Sequence, residues 1–173
     1  MEKTGSMPKT LLVLRHGKSS WKDLSLDDHD RPLKKRGKRD AKRVGAFLRE
    51  KGLIPDLILT SSAKRARGTA KRVTKGGDFK RAVPVEKHRQ LYHAEPETIV
   101  EVLQGIDGAR DRVMIVGHNP GLEDLLELLL GEWYRMPTAA LAQIGLPIAD
   151  WHDLTPGVVG ELRHLWTPDM LDA

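Results

Sequence analysis

Four residues of this chain combine types that suit phosphoryl chemistry: Arg15 beside His16, then Arg65 and His118. A neutral imidazole is a competent nucleophile toward phosphorus, because one ring nitrogen carries a free lone pair. Arginine forks match the oxygens of a tetrahedral anion in bidentate geometry, and their charge strengthens each hydrogen bond. Two histidines and two arginines meeting at one place would form a pocket for a doubly charged phosphoryl group. If His16 donates its Nδ1 proton to a nearby backbone carbonyl, Nε2 is left to face the substrate. Nearby cations lower a histidine's pKa, which keeps such a nucleophile neutral. Gly17 would leave room for a ligand to approach the backbone. Lys18, Ser19 and Lys22 are expected at the mouth of the pocket, with Asn119 as a further substrate contact. Trp21 suits the mouth and a core anchor equally well.

These residues meet only if three strand ends converge. Thr10-Leu11-Leu12-Val13-Leu14 is a continuous apolar run, the pattern of a strand buried on both faces, and it leads into Arg15-His16-Gly17. Leu57 to Thr60 reads as a second buried strand, and Ser61-Ser62 can cap a helix over Ala63 to Thr74. Val113 to Val116 is a third, ending in Gly117-His118. Val83-Pro84-Val85 is weaker, and its proline favours a sheet edge or a strand end. Helical spacing marks Lys34 to Lys51, with Gly52 as the stop, then Pro96 to Gln104 and Gly121 to Leu130. Thr138 to Leu146 and Gly160 to Trp166 have strand residue types, and Lys18 to Pro32 reads as a loop. The alternation predicts α/β: a three-layer α/β/α sandwich with a largely parallel central sheet. In such sheets ligands gather at the carboxyl ends of the strands. Residues 1–8 read as a flexible arm and residues 9–173 as a single domain.

Composition narrows the classes. With 173 residues, 39% of them hydrophobic and 31% charged, the balance is that of a soluble globular domain. The absence of cysteine removes a disulfide framework, a thiol nucleophile and any thiolate metal site. No run of about 18 apolar residues could span a bilayer, and MEKTGSMPKT has no apolar core of a signal peptide. The expected address is therefore the cytoplasm. His29, His88, His152 and His164 show no metal-ligand spacing and read as surface or loop residues. Net charge is +5, but residues 31–89 hold twenty basic and five acidic side chains, and residues 90–173 four and fourteen. That polarity fits either nucleic-acid contact or a site for an anion. The run Lys34-Lys35-Arg36-Gly37-Lys38-Arg39 is a solvated helix start or a docking surface for an acidic partner domain. A nucleic-acid-binding module is disfavoured, because eight Phe, Trp and Tyr residues are too few to stack on single strands.

The ordered set of motifs adds a resemblance. Leu14-Arg15-His16-Gly17, Ser62-Ala63-Lys64-Arg65-Ala66 with Thr69-Ala70, Leu91-Tyr92, and Gly117-His118-Asn119-Pro120-Gly121 resemble the histidine phosphatase superfamily. That superfamily includes the cofactor-dependent phosphoglycerate mutases and the acid phosphatases. Asp30-Arg31-Pro32-Leu33 and the short length resemble its SixA-type phosphohistidine phosphatase branch. The resemblance runs from about Thr10 to Trp166 and implies a phosphoglycerate mutase-like fold. It also implies a role for each matching position. His16 corresponds to the phosphorylated nucleophile, Arg15 and Arg65 to the phosphate-binding arginines, and His118 to the histidine that hydrogen-bonds the transferring group. No metal or organic cofactor is implied. The substrate would be a phosphorylated protein, such as a phosphotransfer domain or carrier, or else a small phosphoester with a good leaving group.

One departure carries chemical meaning. Many members supply a carboxylate general acid after the third strand, whereas this chain reads Gln90-Leu91-Tyr92-His93-Ala94-Glu95. His93, Glu95 and Glu97 are stand-ins, none of them a close match. An imidazole leaving group, with a pKa near 6.5, departs far more readily than an alkoxide. A weak or missing acid therefore suits N–P substrates and disfavours mutase chemistry.

Overall fold

The continuous apolar run of the first strand divides the protein into two cores. A computed structural model describes residues 6–171. In β1 (Lys9–Arg15), Leu12 and Leu14 face one side and Leu11 and Val13 the other, and all four are fully buried. A strand apolar at every position must be covered twice, since successive side chains point to opposite faces. Helices do this in pairs. α1 (Lys35–Glu50) and α2 (Lys64–Gly76) pack Ala41, Val44, Ala66 and Val73 against Leu12, Leu14, Ile58 and Met114. α3 (Pro96–Gln104) and α4 (Gly121–Leu130) pack Ile99, Leu103, Leu122 and Leu125 against Leu11, Val13, Leu59 and Ile115.

The remaining strands are β2 (Leu57–Ser61), β3 (Val85–His88), β4 (Arg112–Gly117), β5 (Leu141–Leu146) and β6 (Glu161–Trp166). They form one six-stranded sheet in the order β3-β2-β4-β1-β5-β6. The first four in that order run parallel, and β5 and β6 join antiparallel. The fold is thus a three-layer α/β/α sandwich with a largely parallel sheet, and α3 and α4 keep the expected bounds.

Several local expectations change. β3 begins after Pro84, which cannot donate to a ladder but whose carbonyl accepts the Ile58 N–H at 3.0 Å, and it lies at the sheet edge. β5 begins at Leu141 rather than Thr138. Ala139 has φ +59 and donates its N–H toward the Arg15 and His16 carbonyls, so this segment bends over the end of β1. Ser61 and Ser62 do not occupy the cap position of α2, which falls to Ala63. The stretch from Lys18 to Pro32 is not a uniform loop: Asp28–Asp30 form a 3-10 turn, and a single bridge pairs Ser19 with Leu33. Of the arm expected over residues 1–8, residues 1–5 lie outside the described residues. Lys34, Lys35, Arg36, Lys38 and Arg39 are exposed around buried Gly37, as a solvated helix start requires.

Candidate active site

The register of two parallel strands brings the two histidines together. β1 and β4 pair with Arg15 opposite Gly117, so the next residues, His16 and His118, leave the sheet side by side. Their ring centres are 5.2 Å apart. On the other flank of β4, Thr60 pairs with Val116, which sets Ser61 beside His118. Arg65 comes from the first turn of α2. All four expected chemical residues, Arg15, His16, Arg65 and His118, line one cavity of about 220 Å³ at the carboxyl ends of these strands.

Both histidines are buried, 6% and 7% exposed. Nδ1 of His16 lies 2.7 Å from the Gly17 carbonyl oxygen, a contact that requires the proton on Nδ1 and leaves Nε2 with its lone pair. Burial pushes the His16 pKa down to about 4, and Arg65, Arg15 and Arg31 add to the effect while the Gly17 bond opposes it. Desolvation rather than the cations is thus the chief reason the ring stays neutral. His118 is pushed down to about 3, again first by burial and then by His16, Arg65 and His93. Its Nε2 lies 2.7 Å from Oγ of Ser61, and Nδ1 is buried with no partner among the described residues. Arg15 Nε is orphaned in the same way, while its Nη1 donates to the Met136 carbonyl at 3.2 Å. Unpaired buried polar atoms are costly, and these two belong to residues that line this cavity.

The arginines converge on a carboxylate that the sequence did not single out. Arg65 donates from Nη1 to the Asp28 carbonyl at 2.6 Å and from Nη2 to Oδ2 of Asp28 at 2.9 Å. Arg31 is only 6% exposed, lines the same cavity, and donates to Oδ1 of Asp28 at 2.9 Å and to Oγ of Ser19. Tyr92 donates its hydroxyl to Oδ2 of Asp28 at 2.7 Å. Burial raises the Asp28 pKa, but bonds from Tyr92, Arg65 and Arg31 outweigh it and hold the carboxyl well below the usual range. Trp21, 64% exposed, lies at the mouth with the Arg31 guanidinium 3.3 Å from its ring centre, so it is no core anchor. Arg31 lay inside the quoted Asp-Arg-Pro-Leu segment, so its signal was present. Asp28 was hidden among four aspartates of one polar stretch.

Other expectations need correction. Gly17 does not admit a ligand. A Cβ there would lie 2.7 Å from the Gly37 carbonyl oxygen, so the glycine serves close packing against α1, and its N–H donates to Oγ1 of Thr69 at 3.0 Å. Lys22 is exposed and lies outside the cavity lining, whereas Lys18 and Ser19 belong to it. Asn119 lines the cavity, but its Nδ2 is committed to the Met136 carbonyl at 2.8 Å, leaving an orphaned acceptor, Oδ1. Arg67 turns away and donates to the Ser62 carbonyl, which separates it from Arg65. His29 lies in the connecting segment as expected, half-buried and bonded to Oγ of Ser62 at 2.9 Å.

A second, larger cleft of about 660 Å³ adjoins the first and shares His93, His118 and Asn119 with it. Its walls carry Glu95, Glu97, Asp124 and Glu127. The site is cationic where a phosphoryl group would sit and anionic beside it.

The chain is similar to known proteins in the way this site suggests. Residues 11–95 match the histidine phosphatase superfamily, branch 1. A chloroplast protein of Arabidopsis thaliana is 38% identical over 147 residues, 80% of this chain and 67% of that one. The structure of SixA from Agrobacterium tumefaciens superposes with a TM-score of 0.78 at 26% identity, covering 94% of this chain and 100% of that one. The protein histidine phosphatase SixA in complex with tungstate shares the fold, with a TM-score of 0.79 at 21% identity, over 94% and 99% of the two chains. The chain belongs to the histidine phosphatase superfamily. Within it, the chain falls in the SixA-like branch. Membership supports a phosphoryl-transferring enzyme of the phosphatase class. Among the described residues, no helix is long and apolar enough to cross a membrane.

Proposed function

We propose that this protein hydrolyses phosphohistidine on a partner protein through a covalent phospho-His16 intermediate, without calling on a metal. The observation that carries this reading is the change of charge between the two cavities. Arg15, Arg31 and Arg65 gather at the inner one, and Glu95, Glu97, Asp124 and Glu127 at the outer one. A leaving group with its own carboxylate or phosphate, such as a phosphoglycerate, would be repelled by those walls. A histidine side chain, neutral or cationic, would not.

In the proposed cycle Nε2 of His16 attacks phosphorus, and the arginines and His118 stabilise charge on the equatorial oxygens. Water then attacks phospho-His16 and releases phosphate. The exposed cations Lys34, Lys35, Arg36, Lys38 and Arg39 lie next to the site, since the Lys34 N–H donates to the Lys18 carbonyl at 2.9 Å. They support docking of an acidic phosphotransfer or carrier domain. A cytoplasmic address belongs to the same proposal. The test compares phosphate release, in EDTA, from a phosphohistidine-bearing protein and from a panel of phosphomonoesters. Fast release from phosphohistidine that vanishes in His16→Ala is expected. Preference for a small ester would move the enzyme to metabolism, and activity surviving in His16→Ala would overturn the nucleophile.

A further inference from the structure

Three residues compete for the task of delivering a proton to the leaving group: His93, Glu95 and Glu97. The structure separates them. Of the two adjoining cavities, Glu95 and Glu97 line only the outer one. Of the three, His93 alone lines both cavities, and so it stands at their junction beside His118 and Asn119. Its ring centre is 5.9 Å from that of His118 and 4.0 Å from that of Tyr92. Its Nε2 lies 3.4 Å from Oδ2 of Asp28, an anionic partner for the ring when it carries a proton. The backbone at His93 has φ +52, a left-handed conformation that histidine adopts more readily than most residues.

We propose that His93 is the proton donor to the leaving group in P–O cleavage, an inference that rests on the phospho-His16 reading of the site. As Nε2 of His16 forms its bond to phosphorus, the bond from phosphorus to the ester oxygen breaks. The electron pair goes to that oxygen, which takes a proton from the His93 imidazolium at Nδ1, the nitrogen not facing Asp28. In the second half the neutral ring accepts a proton from the attacking water. The oxygen of that water bonds to phosphorus, the P–N bond breaks, and the pair returns to Nε2 of His16. Both histidines end as they began, and the products are an alcohol and phosphate. The contribution of His93 grows with leaving-group basicity. It is small for a departing imidazole of pKa near 6.5 and large for an alkoxide.

The experiment reads kcat/KM against leaving-group pKa for wild type, His93→Ala and His93→Asn. Substrates run from activated aryl phosphates to alkyl phosphates, with a phosphohistidine-bearing protein alongside. Asparagine tolerates the left-handed backbone, so His93→Asn keeps the turn while removing the acid. Expected in kcat/KM, which reports only the half that forms phospho-His16, is a loss for alkyl esters of about 100-fold or more, the usual range for a general acid, and a far smaller loss for phosphohistidine. The dependence on leaving-group pKa then steepens in both variants. Equal losses along the whole series, no loss at all, or a wild type with no measurable alkyl-ester turnover would each overturn the role of His93. Trapping of phospho-His16 in wild type keeps the two claims apart. If the label forms and the slopes agree, only His93 fails; if no label forms, the parent reading has failed.

Discussion

The floor and the rim of this site are built in different ways. The floor comes from strand ends: pairing of Arg15 with Gly117 and of Thr60 with Val116 fixes where His16, His118 and Ser61 emerge. Its two histidines are buried and neutral, held by one contact each to Gly17 and Ser61. The rim comes from connecting segments, the 3-10 turn Asp28–Asp30 and the residues after the turn Arg89–Leu91. Its order depends on a single carboxylate, Asp28, that faces Arg31, Arg65, Tyr92 and His93. Backbone ladders fix the part of the site that must be reproducible to fractions of an ångström. Side-chain pairing fixes the rim around it. Arg65 belongs to both, since α2 places it and Asp28 aims it.

The largest effect on this contrast is expected from Arg65→Ala. Loss of a preorganised donor to a developing oxyanion costs about 100- to 1000-fold in kcat. Arg67→Ala, two residues on but turned toward Ser62, should change kcat by less than about twofold. Steady-state kinetics on an activated aryl phosphate would decide the matter, and equal losses in the two variants would mean that α2 does not aim Arg65 at the phosphoryl group.

Next comes acid stability, which belongs to the floor. In the unfolded chain His16 and His118 titrate near 6.5, and in the folded protein near 4 and 3. Between those values the unfolded chain binds protons that the folded one refuses, so stability rises with pH through this window. It is fully present above about pH 6.5 and declines as pH falls toward the folded values. The shift at His16 corresponds to roughly 3 kcal/mol. Asp28 is shifted down as well and has the same sign, but its stability is present above an unfolded pKa near 3.9 and lost only below it, so the rim is silent in this window. Thermal melts between pH 7 and 4.5 should fall more steeply for wild type than for His118→Gln. Parallel slopes would show that the second histidine is not buried as a neutral ring.

The same division explains what was legible in the residues alone. The apolar runs Leu11–Leu14 and Val113–Val116 announce buried strands, and a strand end dictates where the next residue goes. His16 and His118 could therefore be placed together without coordinates. Arg65 followed from the Ser62-Ala63-Lys64-Arg65-Ala66 motif, whose spacing prefers it to Arg67. Trp21 and Lys22 could not be separated, because neighbours in a loop differ only through distant contacts: Trp21 lies against Arg31, and Lys22 faces solvent. Gly17 was read as space for a ligand when its space is filled by Gly37, a partner twenty positions away in another element. Asp28 was invisible for the same reason: Asp23, Asp27 and Asp30 share its composition, and only contacts with the distant Arg65 and Tyr92 single it out.

The smallest of these effects is the most informative about the rim. Asp28→Asn removes the negative charge beside Arg65 and Arg31 but keeps the backbone carbonyl that accepts from Nη1 of Arg65. Arg65 thus loses one of two anchors, and about tenfold in kcat is expected, near 1.4 kcal/mol, the scale of one hydrogen bond to a charged group. Binding of inorganic phosphate should move the other way and tighten a few-fold. The cavity has lost a repelling charge, and two guanidinium groups are freed for the ligand. A carboxylate that merely held the loop in place would weaken phosphate binding and turnover together. Opposite movement of the phosphate inhibition constant and kcat would show that Asp28 trades affinity for alignment. Parallel weakening would reduce the rim to a scaffold and remove the contrast with the floor.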